Sequence, residues 1–159
     1  MRRQLLLVTV ATAACSKGAD RPPMPPSTDA EEQQLMRQCD EGTDAACEQL
    51  EGRYLEAKRP AEVTALVKRL CEGGRRYFCP TYAFILAVGD NVPRDRGRAL
   101  QLFNDTCKDD PRGCSEYGNL FIAGLGVPKD LDLGCILARH ACTHGDQDAC
   151  RDLEYCTGP

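Results

Sequence analysis

Histidine and serine are scarce in this chain, and that scarcity removes two kinds of chemistry. The only histidines are His140 and His144, too few for a hydrolytic metal site built on several imidazoles. The serines are Ser16, Ser27 and Ser115, and none has a lysine three residues on. The Ser-x-x-Lys arrangement, in which a lysine one helical turn away activates the hydroxyl, is therefore missing. Gly124-Leu125-Gly126 is too short for a phosphate cradle and no strand pattern precedes it. Asp109-Asp110 reads as a turn rather than an acid–base pair. Basic residues number 20 against 24 acidic ones, and no basic patch or aromatic stripe stands out, which argues against nucleic acid as a partner. The apolar run from Leu5 to Ala14 has ten residues, about half of what a membrane-crossing helix needs.

Cysteine is what the chain has, eleven in 159 residues. Such density implies an oxidising compartment, because cytosolic thiols are kept reduced. The amino terminus agrees: Met1-Arg2-Arg3 is basic, Leu5 to Ala14 is apolar, and residues 1–14 read as a signal peptide. Ala13-Ala14-Cys15-Ser16 resembles a bacterial lipoprotein signal. That resemblance implies that Cys15 is acylated and becomes the first residue, and Ser16 after it points to the outer membrane. Ordinary cleavage nearby, leaving Cys15 a free thiol, is the alternative. Loss of Arg2 and Arg3 would leave 18 basic against 24 acidic residues, a net charge of −6. Residues 15–29 form a linker in which Pro22, Pro23, Pro25 and Pro26 forbid a regular helix. A helical domain follows over 30–156, and 157–159 is a tail.

Eight cysteines fall in pairs, Cys39/Cys47, Cys71/Cys79, Cys107/Cys114 and Cys142/Cys150, each bracketing a short polar stretch. The second members step by 32, 35 and 36 residues, a period that denotes stacked helical hairpins. Helices are expected near 30–39, 44–57, 60–72, 76–88, 94–108, 111–123, 130–143 and 146–156. Thr43-Asp44 and Asp146 supply start signals, and Pro60 and Pro111 suit a first turn. Gly73-Gly74, Gly89, Gly124 and Gly145 supply stops.

Residues 79–107 and 114–142 align without gaps at an offset of 35, sharing Cys79/Cys114, Tyr82/Tyr117, Gly89/Gly124, Val92/Val127, Pro93/Pro128, Asp95/Asp130, Leu102/Leu137 and Cys107/Cys142. Tyrosine and aliphatic residues fill the space between helices, glycine ends a helix, valine and proline turn the chain, and aspartate caps the next helix. The segment from Cys47 to Cys71 is a shortened copy. This order of residues resembles the Sel-one-like branch of tetratricopeptide-type repeats, in the form found in secreted bacterial cysteine-rich proteins. The resemblance covers about residues 31–156. Gly134 departs from it, standing where the other copy has Ala99, and Cys135 and Cys156 are additional.

The resemblance implies an α-solenoid of about four hairpins with one disulfide in each: Cys39–Cys47, Cys71–Cys79, Cys107–Cys114 and Cys142–Cys150. Facing residues of an antiparallel hairpin have a constant index sum, and 135 with 156 matches 142 with 150 to within one. A fifth bridge, Cys135–Cys156, follows from that ladder. Gaps of seven and eight residues do not suit structural zinc, so no metal is expected, His140 and His144 read as solvated, and no cofactor is expected. A stacked surface suits a protein or peptide partner. Arg75, Arg76, Tyr77 and Phe78, which mix bases with aromatics, are the candidate binding residues, unless Tyr77 and Phe78 pack beneath their hairpin. The function expected is a monomeric protein-binding scaffold of the bacterial envelope, touching the membrane only through its lipid. A structural envelope protein without a ligand is one alternative. The other, implied by the resemblance, is a penicillin-binding or β-lactamase-like protein, although the residues that such chemistry needs are missing.

Overall fold

Five aspartates set where helices begin. The structure is a computed structural model that describes residues 29–156. Asp29, Asp95, Asp110, Asp130 and Asp146 each accept a backbone N–H of the following turn at 2.9–3.0 Å, satisfying donors that a helix start leaves open. The helices are α1 (Ala30–Asp40), α2 (Asp44–Glu56), α3 (Pro60–Glu72), α4 (Cys79–Val88), α5 (Arg96–Cys107), α6 (Pro111–Ala123), α7 (Leu131–Thr143) and α8 (Gln147–Asp152). They pair as four antiparallel hairpins, α1–α2, α3–α4, α5–α6 and α7–α8, and there is no strand among the described residues. The expected signal segment 1–14, Cys15 and the rest of the linker up to residue 28, and the tail 157–159 lie outside the described residues.

The structure departs from the expected pattern in local ways. The helix expected from residue 76 opens as a 3-10 turn, Arg76–Phe78, and becomes α-helical only at Cys79. Pro80 has no N–H and fits only the first turn. The last helix likewise tightens to a 3-10 turn over Leu153–Cys156. Thr43 occupies the cap position of α2, but its side chain makes no cap hydrogen bond. Gly89 and Gly124 end α4 and α6 with φ of 81° and 70°, the left-handed geometry that favours glycine.

One core runs through the first three hairpins, with Leu50, Tyr54, Leu66, Val67, Phe78, Phe103 and Leu120 almost fully enclosed. Tyr117 stacks on Phe103 with ring centroids 5.3 Å apart and planes 2° from parallel. The last hairpin differs. Its small cluster, shared with the third hairpin, is Cys114, Ala141 and Ala149, with Cys107 and Cys142 against it, so sulfur takes the place of branched hydrocarbon. Five sulfur pairs stand at bonding distance, 1.88–2.04 Å: Cys39–Cys47, Cys71–Cys79, Cys107–Cys114, Cys142–Cys150 and Cys135–Cys156. Gly134 has a packing reason. A Cβ there would lie 2.9 Å from the Gly118 carbonyl oxygen and 2.6 Å from Ile122 Cγ1, so bare backbone is what lets α6 and α7 touch.

Candidate functional site

Arginines tie the first three disulfide loops to one another. Arg75 donates to the Cys39 carbonyl oxygen at 2.8 Å and to the Asp44 carboxylate at 2.7 Å, joining the second loop to the first. Arg76 reaches the end of α5 and the third loop, donating to the Asp105 carbonyl oxygen at 2.7 Å and pairing with Asp109 at 2.6 Å. Arg112 returns from the third loop to the second. Its guanidinium lies 4.4 Å from the centre of the Tyr77 ring and donates to the Tyr77 carbonyl oxygen and the Thr81 hydroxyl, both at 3.3 Å.

The second helices form the closer-packed row. α4 touches α6 and α6 touches α8, whereas the first helices make no comparable contact with one another. Rows of unequal spacing bend a stack towards the tighter one, which places α4, α6 and α8 on the inner side, and the hydrogen bond between Glu51 and the Thr81 hydroxyl continues the row to α2. Glu51 of α2, Thr81 of α4, and Arg112 and Glu116 of α6 meet on this row. Burial pushes the Glu51 carboxyl above its ordinary range, while the hydrogen-bonded Thr81 hydroxyl and the Arg112 charge pull the other way. Glu116, half-buried, is pushed up in the same way, by burial first. Arg112 forms no ion pair with a carboxylate among the described residues, whereas Arg53, Arg59, Arg69, Arg75 and Arg76 all do. The arrangement is a guanidinium held flat on an aromatic ring, flanked by two carboxyl groups that resist ionisation. It suits polar recognition.

The candidate residues read from the sequence divide here. Phe78 is fully buried and Arg75 is committed to the first loop, so neither belongs to an open binding surface. The aromatic ring is drawn under the hairpin by the 3-10 turn that precedes Pro80. Tyr77 is 40% exposed and Arg76 is also exposed. Arg112, Glu51 and Glu116 escaped the sequence reading. The signal for Arg112 was a basic residue just before the second cysteine of a loop, as at Arg75 and Arg76, but the third loop is one residue shorter and blurs the match. His140 and His144 are exposed, beside an open cleft of about 200 Å³ lined also by Lys108, Asp109 and Asp110. No group of three or more metal-ligating side chains converges among the described residues.

Glu51 carries a prediction. Its pKa is raised in the folded state, so its protonated form adds stability that is complete below its ordinary value of 4.5 and is lost as pH rises through the folded value. Glu51→Gln removes the buried charge and keeps the shape. It should melt higher than the parent at neutral pH and match it at about pH 4. Thermal melts of both proteins across that range check this, and a variant no more stable at neutral pH contradicts it.

No family model and no curated protein matches the chain. Solved structures do. A Sel1 repeat protein from Oxalobacter formigenes superposes with a TM-score of 0.52 at 22% identity, over 77% of this chain and 96% of that one. Cysteine rich protein B of Helicobacter pylori gives a TM-score of 0.52 at 23% identity, over 76% and 90%. The likeness is one of fold: an all-α solenoid of the Sel1-repeat kind.

Proposed function

We propose that the chain is a protein-binding scaffold of the bacterial cell envelope, monomeric and held at the membrane by a lipid on Cys15. The observation that carries the binding role is the inner row of second helices, where Arg112 is stacked on Tyr77 between Glu51 and Glu116. A surface preset in this way gives a partner oriented polar contacts at little ordering cost. Five bridges fit an oxidising compartment, and Ala13-Ala14-Cys15-Ser16 is the feature that supports the lipid. The neighbouring cysteine-rich and Sel1-repeat folds fit the same reading.

The test is a photo-crosslinking residue placed in living cells at position 116, on the inner row, or at position 101, exposed on the first helix of the same hairpin. A discrete adduct of defined mass is expected from position 116 and not from position 101. Equal labelling at both positions, or none at 116, overturns the reading.

A further inference from the structure

We infer that His140 and His144 form a two-imidazole site for a divalent transition-metal ion at the C-terminal end of α7, with copper(II) bound more tightly than zinc(II). The two side chains are four residues apart, so the last helical turn brings them to one face. Their ring centroids lie 4.1 Å apart with planes inclined at 35°, and both residues are exposed. Two imidazoles at this spacing on one helical face are a recurring metal-binding arrangement.

His144 Nδ1 lies 2.7 Å from the His140 carbonyl oxygen. An acceptor there requires Nδ1 to carry a proton, so in the neutral ring the lone pair is on Nε2. A ligating histidine almost always donates its other ring N–H to a carbonyl or carboxylate in this way, fixing its tautomer and orientation. The Thr143 hydroxyl donates to the same carbonyl at 2.9 Å and helps to hold the turn.

His144 is the C-cap of a 13-residue helix, where the partial negative charge of the helix end favours a cation. The cleft beside the rings is about 200 Å³ and is lined across the way by Asp109 and Asp110. Lys108 also lines it, with its ammonium 3.2 Å from Asp105. The junctions between the earlier loops are bridged by arginine, whereas this one is open. Imidazole suits copper, nickel and zinc rather than magnesium or calcium, and copper(II) leads the affinity order. Two protein ligands leave the remaining positions to water or to a donor on another molecule.

The test uses the oxidised full-length chain carrying Cys15→Ser, which removes the one cysteine outside the five bridges. Copper(II) chloride and zinc chloride are the probes, in a buffer that does not chelate metals. One copper(II) per chain is expected, with an electron paramagnetic resonance spectrum split by two imidazole nitrogens. His140→Ala and His144→Ala should each weaken binding at least about tenfold, because loss of an outer partner of a ligand alone costs about that much. Both side chains are exposed, so both variants should keep the parent's circular dichroism. Binding unchanged by either substitution overturns the site, as does a parent that binds no copper(II) at micromolar concentrations.

Discussion

Full reduction should leave this chain without a cooperative thermal transition at about 37 °C. Four bridges close loops of seven or eight residues and the fifth closes one of 21. Chain entropy assigns about 2.5 kcal/mol to each short loop and about 3 kcal/mol to the longer one. Together these exceed about 10 kcal/mol, against a net stability of about 5–15 kcal/mol for an ordinary domain. The last hairpin has the least to fall back on, since alanine and cystine make up its enclosed cluster. Access should order the reaction. Cys150 is exposed, whereas Cys39 and Cys47 are both fully buried. Cys142–Cys150 should therefore open first and Cys39–Cys47 last, as read by timed alkylation and mass. A protein that still melts sharply with all five bridges reduced and alkylated refutes the argument.

Gly126→Ala should destabilise the protein by at least about 3 kcal/mol, combining left-handed strain with overpacking. Gly126 lies in the turn between α6 and α7, with φ of 71°. A Cβ there would stand 2.0 Å from the Ala87 carbonyl oxygen and 2.5 Å from its carbon. Those are backbone atoms in the last turn of α4, which cannot swing aside as a side-chain tip can. Arg96 pins the same turn by donating to the Gly126 carbonyl oxygen at 2.9 Å. Gly145→Ala is the comparison, because Gly145 has φ of 100° but nothing within 4 Å of a Cβ. It should cost only the conformational part, about 1–2 kcal/mol. Urea unfolding of the two variants separates the contributions, and equal losses would mean that the contact with α4 yields freely.

The helices and their stacking were legible in the sequence because their signals are local. Asp95, Asp130 and Asp146 cap the helices that follow them, and Gly89 and Gly124 take the left-handed ends that their positions imply. The Cys135–Cys156 pair was legible for a related reason, since the ladder of an antiparallel hairpin is arithmetic. What stayed hidden depends on contacts between hairpins. Gly126 reads as an ordinary turn glycine until Ala87 is placed against it. Gly134 reads as an irregularity until Gly118 faces it across the α6–α7 crossing. Arg75 and Phe78 have the composition of a surface patch, but the loop turns both inward, and it is Arg112 of the neighbouring hairpin that lies over Tyr77.

The bridge Cys135–Cys156 encloses Cys142–Cys150, and this nesting has a mechanical consequence. If the chain is anchored at its amino terminus and pulled from its carboxyl end, tension passes straight through the outer sulfur pair. None of the backbone between those two cysteines can lengthen while that bond holds. Under load the last hairpin would therefore behave as an inextensible ferrule, and the spring lies wholly in the hairpins that precede it.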